Sequence, residues 1–119
     1  MAEIPLRAAL LAEFLGTALL ILLGDGVVAG DVLLNKTSDK LMITTGWGLA
    51  VALAVYLSGR LSGGHINPAV TLALAWRGAF ARSRVLPYWG AQLAGAFVGA
   101  VLSTPITPKP SGPSSVPST

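Results

Sequence analysis

Few side chains in this sequence carry chemistry, and their order is unusual. Glu13 lies in a strongly apolar run, and Asp25 follows it twelve residues on. Further along stands Gly63-Gly64-His65-Ile66-Asn67-Pro68-Ala69, with Trp47 twenty residues before Asn67. An acid inside an apolar segment either carries protons along a cavity or pairs with donors in a helix bundle. His65 raises metal binding or proton relay. It is the single histidine of a chain without cysteine, which argues against a metal site and excludes a disulfide or a thiol nucleophile. No phosphate-binding loop or catalytic constellation is present, so the chain reads as a non-enzyme without a cofactor.

The glycine motif dictates an irregular backbone followed by a helix start. Glycine accepts positive φ, asparagine is a favoured N-cap, and proline suits the first helical position. The apolar run after it, residues 69–76, is far shorter than the about 20 residues that span a bilayer. The motif therefore predicts a half-helix entered from non-helical chain at membrane depth. Such backbone is tolerated only where protein buries it or where it lines a water-filled cavity, which points to a pore or a transport site.

The elements around it are membrane spans. The 119 residues are 53% hydrophobic and 11% charged, with a mean hydropathy of +0.70, against about 25% charged in a soluble domain. The spans are expected at residues 8–29, 41–57 and 85–102, with a short polar loop at 30–40 and a basic connector at 77–84. Pro87 falls in the first turn of the third span, where it is tolerated. Gly95 and Gly99 form a small-xxx-small pair suited to close helix packing. The net charge of +3 comes from scattered basic residues, which excludes a nucleic-acid surface. Arg7, Arg60, Arg77, Arg82 and Arg84 gather on one side, so the positive-inside rule makes that side and the N-terminus cytoplasmic. Residues 104–119 hold twelve Pro, Ser or Thr and read as a disordered or polyproline-like tail. Asn35-Lys36-Thr37 matches a glycosylation sequon, a pattern frequent by chance.

Ser62 to Thr71, together with Ala12-Glu13-Phe14-Leu15-Gly16-Thr17, Trp47-Gly48-Leu49-Ala50-Val51-Ala52 and Gln92-Leu93-Ala94-Gly95-Ala96, resembles the major intrinsic protein family of water and glycerol channels. Within it the chain is most similar to bacterial glycerol uptake facilitators. The resemblance spans about residues 6–102. It implies an all-α membrane protein in which three transmembrane helices and one re-entrant half-helix make half of an aquaporin-like inverted-repeat bundle. Residues 1–103 would be that N-terminal half, and the second half, with its own Asn-Pro-Ala loop, is not in this sequence. Complete members are expected to be homotetramers in the inner (plasma) membrane, with glycerol and water as permeants.

The resemblance also implies roles. Asn67 caps the half-helix and offers its amide to a passing hydroxyl, and Asn67-Pro68-Ala69 meets its counterpart from the other half. Carbonyls of Gly63, Gly64 and His65 form an acceptor ladder, with the His65 side chain structural. Trp47 stands where the family places its aromatic constriction, as tryptophan in glycerol facilitators. Val51 and Ile66 continue its wall. Glu13 holds the amides of the re-entrant loop. Two alternatives stay open: a truncated or frameshifted fragment without transport activity, and a secondary transporter that uses Glu13 as a proton carrier.

Overall fold

The computed structural model describes residues 4–34 and 38–105. The sequon and all but the first two residues of the expected tail lie outside the described residues. Among the described residues four α-helices follow in order: α1 (Leu6–Ala29), α2 (Lys40–Ser62), α3 (Pro68–Trp76) and α4 (Val85–Ser103). A π-helical turn, Gly30–Leu34, extends α1, and a short 3-10 turn, Arg82–Arg84, leads into α4. The described residues are all helix, turn or loop, as the expected fold class requires. Among the described residues three segments are long and apolar enough to cross a membrane: Leu6–Leu34, Lys40–Ser62 and Arg82–Ser103.

The chain from residue 30 corrects one expectation. Instead of a polar loop beginning at Gly30, the first helix runs on to Leu34. Val32, Leu33 and Leu34 keep the segment apolar, and the Asp31 carboxylate is fully buried beneath the start of α2. There Asp31 Oδ2 accepts from the Asp39 N–H at 2.8 Å. Asp39 in turn caps α2, its Oδ1 accepting from Leu41 N–H at 2.9 Å and Met42 N–H at 3.2 Å. Two acids thus satisfy donors that a helix start leaves open.

Helix α1 is the hub, packed against both α2 and α4. Contacts pair Gly24 with Trp47, Val27 with Gly46 and Gly16 with Ser58, so α1 and α2 run antiparallel. Gly95 lies on the Phe14 carbonyl and Gly99 on that of Ala18, so α4 runs parallel to α1. A Cβ at Gly95 would collide with the Phe14 carbonyl oxygen. Helix backbones meet this closely only through glycine, and the gain is dispersion and Cα–H···O contact, not the hydrophobic effect that lipid removes. Towards the C-terminal ends of both helices at the same interface, Ser103 Oγ donates to Asp25 Oδ2 at 3.0 Å. That gives Asp25, unassigned by sequence, a partner on α4.

Helix α3 is short and ends in a Schellman turn. The Ala79 N–H returns to the Leu74 carbonyl and the Gly78 N–H to that of Ala75, with Gly78 at φ 77°. The turn sends the chain back towards the same end of the bundle.

Gly95→Leu is expected to abolish accumulation of folded protein, because overpacking here displaces backbone, not a flexible side chain. Gly48→Leu, where a Cβ meets nothing within 4 Å, is expected to be tolerated. Yield of monodisperse protein in detergent checks both.

Candidate functional site

The site is the loop from Ser62 to Asn67 and the helix ends that hold it. Helix α2 stops at Gly63, which takes φ 90° while its N–H still reaches the Gly59 carbonyl at 2.9 Å. Gly64 continues at φ 66°. Ile66 has φ 44°, a conformation that a β-branched residue rarely adopts and that costs about 1–3 kcal/mol. Asn67 then returns to extended backbone, and its Oδ1 accepts from the Ala69 N–H at 2.8 Å, with Pro68 at the first helical position.

Glu13 is fully buried on α1, and its carboxylate meets this loop. Oε1 accepts from Ser62 Oγ at 2.6 Å and from the His65 N–H at 2.9 Å. Oε2 accepts from the Ile66 N–H at 2.7 Å and from Gln92 Nε2 at 2.8 Å. All four donors are neutral. Two backbone bonds to an ionised acceptor, at about 1.5–3 kcal/mol each, outweigh the strain at Ile66.

Helix α4 holds the other side. Tyr88 Oη donates to the Ser62 carbonyl at 2.8 Å, and Trp89 Nε1 donates to that of Pro68 at 3.0 Å. Gln92 Nε2 bridges Glu13 to Thr71 Oγ1, the latter at 2.9 Å. His65 Nδ1 lies 2.9 Å from the same Thr71 hydroxyl. Phe80, from the basic connector, and Tyr88 enclose the imidazole, with ring centroids 4.6 and 5.0 Å away. Ser62, Thr71, Tyr88 and Trp89 had no assigned role from sequence. The legible signal was Tyr88 and Gln92 at i and i+4 in an apolar span, since polar groups there face the bundle interior.

The remaining candidates fall into two groups. Ile66 directs its side chain inwards, 5% exposed, against Gly16, so only its backbone is left for a lumen wall. The carbonyls of Gly63, Gly64, His65 and Ile66 accept no hydrogen bond among the described residues. Asn67 is exposed, and its Nδ2 has no partner among them either. Trp47 is half-buried against Gly24, and Val51, one turn on, is exposed. Gln92 Oε1 and Thr17 Oγ1 are buried without a hydrogen-bond partner among the described residues.

Three helices long and apolar enough to cross a membrane, with a short helix between the second and third, make this a multi-pass membrane protein. Comparison with known proteins agrees: the model of the major intrinsic protein family matches residues 1–116, and the chain belongs to that family. It is 62% identical over 96 residues to a probable glycerol uptake facilitator of Thermotoga maritima, covering 77% of this chain and 41% of that protein. It is 54% identical to the glycerol uptake facilitator of Streptococcus pneumoniae, covering 78% and 41%. Among solved structures it matches the aquaglyceroporin of Plasmodium falciparum, with a TM-score of 0.83 and 35% identity over 86% of this chain and 42% of that one. The chain thus spans about two-fifths of the length of these relatives.

Glu13→Ala is expected to leave the His65 and Ile66 amides buried and unpaired, at about 1–3 kcal/mol each. Glu13→Gln keeps one acceptor oxygen, and Gln92 can turn its unpartnered Oε1 towards the new amide. The alanine variant is therefore expected to melt well below the glutamine variant in detergent, and both below the parent.

Proposed function

We propose that this chain is the N-terminal half of a passive channel for glycerol, water and other small neutral solutes. The observation that carries the reading is the strained loop on Glu13, with four successive carbonyls lacking hydrogen bonds among the described residues and ending at Asn67. A row of acceptors followed by an amide donor suits a hydroxylated solute, which exchanges hydrogen bonds with water for hydrogen bonds with the wall. The N-terminus of α3 adds a partial positive charge of roughly half an electron. Set at a pore's midpoint, it disfavours cations and protons. Trp47, with Val51 beside it, supplies an apolar surface for a polyol's carbon backbone. The names of the relatives, glycerol uptake facilitators, support the same solute class.

Glu13 serves this reading as the loop's anchor. Its carboxylate is fully buried and already accepts four hydrogen bonds, which does not favour a proton carrier exchanging with water. The clustered arginines orient the N-terminus to the cytoplasm, and the half-helix enters from that side. A complete channel would assemble as a homotetramer.

In a complete channel carrying this half, Trp47→Phe is expected to lower the ratio of glycerol to water permeability several-fold in stopped-flow assays of proteoliposomes. An unchanged ratio would remove Trp47 from the filter. Expressed alone, the 119-residue chain is expected to pass no glycerol, because a pore of this family needs an inverted second half and the arginines fix one orientation. Uptake in cells lacking other facilitators tests this; clear uptake that Asn67→Asp abolishes would instead favour assembly of oppositely oriented copies.

A further inference from the structure

We infer that Gly24 on α1 is a specificity-positioning residue: it sets the depth of the Trp47 indole and, through it, the width available to a solute. The inference rests on the reading of Trp47 as a filter residue. Gly24 is buried, and a Cβ built there would fall 2.4–2.5 Å from three atoms of the indole's six-membered ring, Cζ2, Cζ3 and Cη2. The far edge of the ring therefore rests on the α1 backbone itself, in the space a side chain would occupy.

The neighbouring residue interlocks in the opposite sense. A Cβ at Gly46 would lie 2.5–2.6 Å from the Val27 methyl groups. Helix α1 thus offers a hollow at Gly24 and a knob at Val27, one turn apart. Helix α2 offers the knob Trp47 beside the hollow Gly46. Two consecutive residues of α2 are held between two positions of α1, which fixes both the height and the rotation of α2 where Trp47 leaves it. The indole is only half-buried, so the part of it not on Gly24 stays accessible. Any group added at Gly24 pushes the ring away from α1, towards that open side. A rigid, two-torsion side chain resting on backbone cannot absorb the push as a flexible one would.

Gly24 itself needs no contact with solute for this effect. Its neighbour Gly26 provides the control, since a Cβ there meets nothing within 4 Å and the substitution brings the same change in helix propensity.

The test is made in the complete channel carrying this half, with glycerol and water permeabilities measured on the same proteoliposomes. Gly24→Ala is expected to reduce the glycerol-to-water ratio several-fold, and Gly26→Ala to leave it unchanged. Phenylalanine lacks the three ring atoms in question, so Gly24→Ala added to Trp47→Phe is expected to have no further effect. Such non-additivity is the mark of a direct coupling. If Trp47→Phe shifts the ratio but Gly24→Ala does not, the inference is overturned and the filter reading stands. If Trp47→Phe leaves the ratio unchanged, the filter reading fails and the inference with it. Should Gly24→Ala prevent folding, recovery of folded protein in the Gly24→Ala, Trp47→Phe double variant supports the contact. Failure of that double variant too, with Trp47→Phe folding normally, assigns Gly24 to backbone packing and overturns the inference.

Discussion

The Glu13 carboxylate accepts hydrogen bonds from α2, from the loop and from α4, and the loop's shape at this depth depends on it. Two backbone amides between α2 and α3 have no helical partner. In an apolar surround each would be costly. A carboxylate is suited to the place because it is acceptor-only, with room for four donors on two oxygens. Here all four are supplied, so burial of the charge is compensated by hydrogen bonds instead of by a cation. The bonds also hold Ile66 at positive φ, and that reversal lets Asn67 point the chain into α3.

Around this centre the packing follows one rule. At several of the close approaches of α1, one side is a glycine: Gly16 under Ile66, Gly24 under Trp47, Gly46 under Val27, Gly95 and Gly99 on the carbonyls of α1. Lipid is as apolar as leucine, so helix association gains little from burying large side chains and much from close approach. Many large apolar residues, such as Leu49, Leu93 and Phe97, accordingly remain on the outside of the bundle. Polar side chains of α4 point the other way. Tyr88, Trp89 and Gln92 reach the loop and the half-helix, so the third span acts as a second wall for the same short segment.

A division of labour results. Glu13, Tyr88, Trp89 and Gln92 spend donors and acceptors on Ser62 to Thr71. Besides the buried Gln92 Oε1 and Thr17 Oγ1, what is left without a partner among the described residues is a strip along the loop: the carbonyls of 63–66 and the amide of Asn67. Under the proposed channel reading, a hydroxylated solute would use such acceptors and donors, held on a frame braced by the hydrogen bonds behind them.

The sequence by itself determined the elements. Glycines followed by Asn67-Pro68 dictate loop and helix start, a run of eight apolar residues is too short to span, and three longer runs are not. Those are local properties of backbone and hydropathy. The role of Glu13 as a loop anchor was implied by the family resemblance; the acid alone left a proton carrier equally open. Tertiary structure decided what no period encodes. The continuation of α1 through Leu34 goes with Asp31 meeting the Asp39 amide at the start of α2. The inward side chain of Ile66 depends on the hollow at Gly16. The roles of Tyr88 and Trp89 depend on α4 running parallel to α1, which brings their donors to carbonyls 26 and 21 residues earlier. Each is a contact between distant positions, and its energy belongs to the packed geometry and to neither residue alone.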